Sequence, residues 1–270
     1  PFFMAAGPGE LFVLYHPAAA GFPRRDPVLF LPPFGEEMNK SRRMVSLQAR
    51  RLAARGIPVL VPDLFGTGDS AGDFGEATWE IWVRDLEVCS AWLIERAGGP
   101  LVLWALRSGA LLAPGLMNGA AGVPVSRLVL WQPVLDGRSF VQQLFRLFLA
   151  STLRRQGPRT TGAELRARLD VSGRIEIAGY CLSRELVEGL ERTSLDDLDR
   201  LPRDEVIWLE VSATPGRGLS GNALELAQRW REKGPAVHTR SVPGDPFWTA
   251  QEITTAPELV EATAEALSAQ

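Results

Sequence analysis

Residues 103–110 read Leu-Trp-Ala-Leu-Arg-Ser-Gly-Ala and continue an apolar run that begins at Leu101. The apolar run predicts a buried strand, and the residues after Ala110 predict a buried helix. With so little chain between them, the strand must pass into the helix through a sharp turn. The residues two before and two after the apex of such a turn must be small, because strand and helix pack together there. The stretch therefore predicts a strained elbow with Arg107 or Ser108 at its apex.

Short apolar runs alternate with longer helical patterns on both sides of this elbow. That alternation is typical of a parallel sheet whose strands are buried on both faces, with right-handed connections through the helices. Two helical patterns are clearest, one that ends at Gly56 and one that ends at Gly98. The predicted strands are 11–16, 28–31, 59–61, 101–105, 128–131, 206–211 and 237–242.

The alternation stops between residues 140 and 201. Phe140, Leu144 and Phe148 recur at helical spacing, and an Arg-rich stretch with further helical patterns follows. We interpret residues 140–201 as a helical cap insertion, and residues 1–139 with 202–270 as the core that carries it. The length of 270 residues agrees with one core and such an insertion.

The composition is that of a soluble globular protein. Apolar residues make up 46% of the chain and charged residues 23%, with a net charge of −3. Basic and acidic residues are interspersed, so arginine pairs such as Arg24 and Arg25 are interpreted as solvated, and no nucleic-acid partner is predicted. The uncharged run 108–126 holds several glycines and prolines and predicts a buried helix and a loop, not a membrane span. Since no signal-peptide pattern opens the chain, we expect a cytoplasmic protein.

The two cysteines do not suggest a metal or redox site. Cys89 and Cys181 lie outside any C-x-x-C or His-rich context, and Cys89 falls on the apolar stripe of a predicted helix. Neither a metal nor a cofactor is predicted.

Residues 63–70 read Asp-Leu-Phe-Gly-Thr-Gly-Asp-Ser and follow the predicted strand 59–61. The two glycines allow a sharp turn without a side-chain clash, and Asp63 and Ser70 can hydrogen-bond the turn backbone. The segment resembles the D-x-x-G-x-G-x-S turn of α/β-hydrolases, and it stands one helix ahead of the elbow. The resemblance implies the α/β-hydrolase fold, a mostly parallel eight-stranded sheet flanked by helices, with the cap inserted after the sixth strand.

In α/β-hydrolases the elbow carries the nucleophile at its apex. With Arg107 at the apex the flanking small residues are Ala105 and Gly109, whereas with Ser108 at the apex the first of them becomes the bulky Leu106. The spacing therefore favours Arg107. A guanidinium stays protonated at any working pH and cannot form an acyl intermediate.

The other positions of a Ser-His-Asp triad are also unfilled. The slot after the last strand, residues 242–248, reads Val-Pro-Gly-Asp-Pro-Phe-Trp. The only histidines, His16 and His238, fall inside predicted strands, where a histidine is more often a core residue than a general base. Residues 212–224 contain no Asp or Glu, and Asp136, at an alternative acid position, has no histidine to orient.

Residues 31–44 read Leu-Pro-Pro-Phe-Gly-Glu-Glu-Met-Asn-Lys-Ser-Arg-Arg-Met, where hydrolases carry the oxyanion-hole loop. The backbone N–H groups of Phe34 and Ser108 would then point into one cavity. Together with the elbow and residues 242–248, this run resembles the hydrolase-like proteins associated with the exosortase A (PEP-CTERM) system, of the type with Arg at the nucleophile position. The resemblance implies an association with exopolysaccharide production and protein sorting.

These residues leave three hypotheses open. In the first, a degenerate hydrolase binds a carboxylate or phosphate between Phe34, Arg107 and Ser108, because the helix N-terminus and the guanidinium both favour an anion. In the second, an esterase, thioesterase or acyl transferase uses Ser108 and a base such as His238 on an envelope or exopolysaccharide precursor. In the third, the fold is a scaffold for a protein partner, for example one of the exosortase system. The expected ligand is a small anionic or acyl-type molecule, and Lys40 and the neighbouring arginines are further candidates for binding it.

Overall fold

The main sheet of the computed structural model, which describes residues 1–154, 161–214 and 218–268, has eight strands in the order β1-β2-β4-β3-β5-β6-β9-β10. Strands β3 to β10 of this sheet run parallel, and β1 and β2 are antiparallel to their neighbours. The strands are β1 (Phe2–Ala6), β2 (Gly9–His16), β3 (Val28–Leu31), β4 (Val59–Pro62), β5 (Leu101–Leu106), β6 (Val125–Trp131), β9 (Glu205–Ser212) and β10 (Ala236–Pro243).

All seven predicted strands are present, and β1 is the strand of this sheet that the sequence did not predict. Met4 and Ala6 of β1 are buried while Phe3 and Ala5 are exposed. All four residues are apolar, so the inward and outward positions cannot be told apart in the sequence. The strand is held by antiparallel pairing with β2 across a turn at Gly7, whose φ is 42°.

Helices cover both faces of the sheet, and their apolar stripes build two core layers. One face packs against α1 (Gly35–Ala54) and α8 (Pro257–Ser268). The other packs against α2 (Trp79–Ala97), α3 (Leu112–Asn118) and α7 (Gly221–Lys233). The predicted helix ends at Gly56 and Gly98 are confirmed, and both glycines have positive φ. Cys89 is fully buried on α2, and burial raises the pKa of its thiol.

The insertion between β6 and β9 is mostly helical and covers the same face as α2. It contains α4 (Gly137–Arg154), α5 (Gly162–Ser172), the hairpin of β7 (Arg174–Ile177) and β8 (Tyr180–Ser183), and α6 (Arg184–Glu191). Residues 155–160 of the predicted cap, part of its Arg-rich stretch, lie outside the described residues.

The expectation of helix throughout the cap is wrong at residues 174–183. Ile175 and Ile177 face inward, and the connecting residues Ala178 and Gly179 both have positive φ, 52° and 86°. Two such residues form the turn whose twist matches antiparallel strands, so they close a hairpin where a helix was expected. Within the part of the chain that is described, no helix is long and apolar enough to cross a membrane.

Candidate functional site

The elbow after β5 has Arg107 at its apex, as predicted. Arg107 has a φ of 51°, a conformation that residues with a side chain rarely adopt, whereas Leu106 before it is extended. A Cβ atom on Gly109 would lie 2.2 Å from the carbonyl oxygen of Leu31, so the elbow needs glycine there. This approach brings the elbow against the end of β3, directly ahead of Phe34 and α1.

The Arg107 side chain joins three parts of the molecule. Its Nε donates a hydrogen bond of 3.0 Å to Oε1 of Glu37 in the first turn of α1. Its Nη1 donates one of 3.1 Å to the carbonyl oxygen of Gln132 after β6. Its Cζ lies 5.3 Å from the ring centroid of Trp248, which belongs to the loop after β10, at a distance typical of a cation–π contact. Arg107 is therefore held from three sides.

Glu37 is the internal counter-ion of Arg107, and sequence reasoning did not predict this role. The side chains of Arg107 and Glu37 are only 15% and 17% exposed. Burial raises the pKa of the Glu37 carboxyl, although the charge and hydrogen bond of Arg107 act in the opposite direction. Its Oε2 is buried and has no hydrogen-bond partner among the described residues. Glu37 therefore neutralises part of the Arg107 charge that was expected to face a ligand.

Gln132 is the second residue that the sequence did not identify. It follows β6 with a φ of 44°, and its side-chain Oε1 accepts a hydrogen bond of 3.0 Å from the backbone N–H of Val211. Its backbone N–H donates to the carbonyl of Leu209. Gln132 therefore fixes the end of β6 to β9 and presents its own carbonyl oxygen to Arg107.

Ser108, the alternative nucleophile, is closed off from solvent. Ser108 is 1% exposed, and its Oγ has no hydrogen-bond partner in the ranges that the structure describes. A serine nucleophile needs a base within hydrogen-bond reach.

Both histidines lie on strands that are far from β5 in the sheet. His238 on β10 and Trp104 on β5 fall in the same row of the sheet, separated by three interstrand steps, or roughly 14 Å. His16 on β2 is equally three strands from β5. The prediction that a strand histidine is a core residue is wrong for His238, whose side chain is 67% exposed and lies 3.5 Å from Glu205. β10 is an edge strand of the sheet, and His238 shares an exposed side of it with Arg240.

Asp136, the alternative acid, caps a helix. Its Oδ1 accepts a hydrogen bond of 2.8 Å from the backbone N–H of Ser139, in the first turn of α4. A carboxylate at this place stabilises the free N–H groups of the helix. In the described ranges, no three His, Cys, Asp or Glu side chains are grouped so that they could hold a metal ion.

Trp248 lies in the loop after β10, and a cavity of about 740 Å³ lies beside it. The cavity is at the carboxyl ends of β6, β9 and β10, the edge of a parallel sheet where ligands bind in α/β proteins. Residues 215–217 of the predicted acid slot lie outside the described residues. The polar lining includes Gln132, Ser212, Ser220 and Ser241, and Trp248 forms part of the wall.

Phe34 stands immediately before α1 in an extended conformation, three residues ahead of Glu37. Its ring packs against the cap and α2, with centroid distances of 5.5 Å to Trp82, 5.8 Å to Phe140 and 6.2 Å to Phe74. The structure therefore brings the start of α1 beside the elbow, while the Phe34 side chain belongs to an aromatic cluster beneath the cap.

Lys40 and Arg42, two of the basic residues after Phe34, have other partners. Lys40 lies 3.7 Å from Glu36 and donates to the carbonyl of Thr249, and Arg42 donates a hydrogen bond of 3.2 Å to Asp63. The predicted hydrogen bonds of the turn at residues 63–70 are confirmed: Ser70 Oγ donates to the Asp63 carbonyl at 2.6 Å, and Asp63 Oδ2 accepts from the Asp69 N–H at 3.1 Å.

Solved structures with a similar architecture include esterases, a lipase and an α/β serine hydrolase, whereas no protein-family model and no curated protein matches this sequence. Est1E from Butyrivibrio proteoclasticus with bound ferulic acid has a TM-score of 0.68 and 13% identity, covering 100% of this chain and 97% of Est1E.

A soluble variant of the monoglyceride lipase of Saccharomyces cerevisiae, in complex with a substrate analogue, has a TM-score of 0.61 and 14% identity. The match covers 99% of this chain and 93% of the lipase. XC6422 from Xanthomonas campestris, a serine hydrolase without a lid, has a TM-score of 0.57 and 15% identity, covering 98% and 92%. At these identities the likeness concerns the fold, and the chain has the predicted α/β-hydrolase fold.

Proposed function

We propose that this protein binds a small anionic ligand, a carboxylate or a phosphate, at Arg107 and does not hydrolyse esters. The observation that carries the proposal is the position of Arg107, whose guanidinium stands at the apex of the elbow at the start of a helical segment. A planar guanidinium recognises carboxylates and phosphates through paired hydrogen bonds.

Three features support the loss of hydrolysis. Arg107 cannot act as an acyl-forming nucleophile, the neighbouring Ser108 is buried, and the two histidines lie three strands away. Covalent and general-base catalysis each contribute orders of magnitude to the rate, so what remains is a binding site.

The ion pair with Glu37 sets how an anion would bind. Glu37 uses the Nε of Arg107, and Gln132 uses one N–H of Nη1. The other N–H of Nη1 and both on Nη2 make no hydrogen bond with the described part of the protein, and a ligand anion would take this edge. Gln132 and Trp248 contact the guanidinium and also line the 740 Å³ cavity, which offers room for the rest of the ligand.

Such binding would depend on pH. A ligand anion beside Glu37 places two negative charges at one guanidinium and favours protonation of Glu37, whose pKa burial already raises. Anion affinity would then rise as the pH falls and Glu37 becomes neutral. Sulfate is the suitable probe because its own charge stays constant over the pH range in which Glu37 becomes neutral.

Calorimetric titration with sulfate tests the proposal. Glu37→Gln removes the internal competitor and is expected to abolish the pH dependence and to raise sulfate affinity by about ten- to a hundredfold, in line with about 1.5–3 kcal/mol for a charge-assisted hydrogen bond. The double variant Arg107→Met with Glu37→Met removes both charges, so that no buried carboxylate is left unpaired, and is expected to abolish binding. Ser108→Ala should leave it nearly unchanged.

An ester panel and a serine-reactive fluorophosphonate probe test the enzyme hypothesis. Ester turnover in the native protein that disappears in Ser108→Ala and persists in the double variant would refute the proposal. Absence of both turnover and sulfate binding would favour a scaffold for a protein partner.

We further propose that the protein acts in the cytoplasm as part of an exosortase and exopolysaccharide system. Support comes from the resemblance carried by residues 31–44 and the Arg elbow. Deletion of the gene in its native host should reduce secreted exopolysaccharide or surface delivery of PEP-CTERM proteins, and the Glu37 and Arg107 double variant should fail to restore it. Full restoration by that variant would separate the cellular role from the elbow.

A further inference from the structure

A second cavity, of about 210 Å³, lies beside α1 on the face of the sheet opposite to the cap. It is distinct from the site described above, since its lining shares no residue with the 740 Å³ cavity and includes neither Arg107 nor Glu37. Apolar side chains from β2, β3, β4 and α1 form most of the wall, among them Leu14, Phe30, Met38, Val45 and Val61.

Ser41 of α1 gives this apolar cavity a polar group. Ser41 is fully buried, lines the cavity, and its Oγ has no hydrogen-bond partner among the residues that the structure describes. A buried hydroxyl left without a partner destabilises a protein by about 1–3 kcal/mol. The Ser41 hydroxyl therefore lies at the cavity wall as a buried polar group without a partner among the described residues.

A matched serine on the next helix behaves differently. Ser90 of α2 is equally buried, and its Oγ donates a hydrogen bond of 2.7 Å to the carbonyl of Leu86, one turn earlier. A serine inside a helix commonly satisfies itself in this way. The corresponding bond from Ser41 to Glu37 is absent from the hydrogen bonds of the described residues, which singles out Ser41.

The size and rim of the cavity limit what can enter. An apolar cavity of about 150 Å³ binds benzene, so this one accommodates a single ring with a small substituent. The rim carries the ion pair of Arg42 and Asp63 and the partly buried His16 and Ser46, whereas Ser41 is the lining residue with a fully buried hydroxyl. These polar groups leave the apolar interior as the place for the ring and the Ser41 hydroxyl as the partner for its substituent.

We infer that this cavity binds a monocyclic ring that carries one hydrogen-bonding oxygen, of about the size of phenol. The ring contacts Phe30, Val45 and Val61, and the oxygen bonds to the Ser41 hydroxyl. This inference does not depend on the function proposed for Arg107.

Titration with phenol, compared with toluene as a ring of similar size without a hydrogen-bonding oxygen, tests the inference. The shift of the Met38 methyl resonance reports occupancy at the cavity wall. Phenol is expected to bind about 5-fold more tightly than toluene, which corresponds to one hydrogen bond of about 1 kcal/mol. Ser41→Ala should remove that preference and retain toluene binding, and Val45→Phe, which fills the cavity, should remove both.

Two controls separate this site from the elbow and from general effects on helices. Ser90→Ala and the Arg107 and Glu37 double variant should leave phenol affinity unchanged. Equal affinity for phenol and toluene in the native protein, or a phenol preference that persists in Ser41→Ala, would overturn the inference. So would the absence of any shift at Met38 with millimolar phenol.

Discussion

Two loops at the carboxyl edge of the sheet, the turn at residues 63–70 and the elbow at residues 106–109, both turn sharply after a strand. Different interactions stabilise them. In the turn, Ser70 Oγ bonds the Asp63 carbonyl and accepts from the Phe12 N–H at 2.8 Å. In the elbow, packing fixes the backbone, while Ser108 Oγ and Glu37 Oε2 have no partner within the described ranges. The turn is held mainly by hydrogen bonds, whereas the elbow is held by packing against β3 and by the bonds of Arg107 to Glu37 and Gln132.

Removing Arg107 should produce the largest effect, because it leaves Glu37 buried and unpaired. Arg107→Met is expected to lower the free energy of unfolding by about 3–5 kcal/mol, and adding Glu37→Met should restore most of it. Urea denaturation of the two variants measures both values. If the single variant is as stable as the double, the ion pair is not what holds the elbow.

Gly109→Ala tests whether packing sets the elbow backbone. The new Cβ would lie 2.2 Å from the Leu31 oxygen and force β5 and β3 apart, with an expected loss of about 2–3 kcal/mol. Gly162→Ala is the control, since a Cβ there meets no atom of the described residues within 4 Å, and the change should alter stability by less than about 0.5 kcal/mol. Equal effects at the two glycines would contradict a steric origin.

The geometry of both loops could be predicted from the sequence, but the pairing inside the elbow could not. Small residues at Ala105 and Gly109 reveal the apex because the backbone approach is a local requirement. Glu37 lies 70 residues from Arg107, and a glutamate in the first turn of a helix is expected there for the helix dipole alone. Gln132 gives no signal either, since its part in the site depends on a positive φ and a backbone carbonyl.

The cap illustrates a second limit of sequence reasoning. At residues 174–183 only Ile175 and Ile177 alternate with polar neighbours before the Ala178-Gly179 turn, which is too short a pattern to separate a strand from a helix. β1 gives no alternation at all. Both elements depend on pairing with a neighbouring strand, which local patterns do not contain.

Asp85 of α2 supports the turn and should make its stability depend on pH. It accepts a hydrogen bond of 2.9 Å from the Phe65 N–H, and burial raises the pKa of its carboxyl from 3.8 to about 6. The folded state then binds a proton more tightly than the unfolded state, so this group stabilises the protein at low pH and the contribution is lost as the pH rises towards about 6.

The difference in unfolding free energy between the native protein and Asp85→Asn isolates this contribution. As the pH rises from about 4.5 to about 7, the native protein is expected to lose about 2 kcal/mol of unfolding free energy relative to Asp85→Asn. Denaturation curves for both proteins across that range give the value. A difference that is constant with pH, or that favours the native protein as the pH rises, would contradict the raised pKa.

Two serine substitutions compare the loops directly and have the smallest expected effects. Ser70→Ala removes a donor and an acceptor, leaving the Asp63 carbonyl and the Phe12 N–H without their partner, and should lower stability by about 1–2 kcal/mol. Ser108→Ala removes a buried hydroxyl that bonds to none of the described residues, so stability should stay within about 0.5 kcal/mol of native or rise slightly. Thermal and urea unfolding of the two variants measure both changes in stability. A loss at Ser108 as large as that at Ser70 would mean that the Ser108 hydroxyl has a partner in solution, a bound water or a ligand, and that the elbow is as fully bonded as the turn.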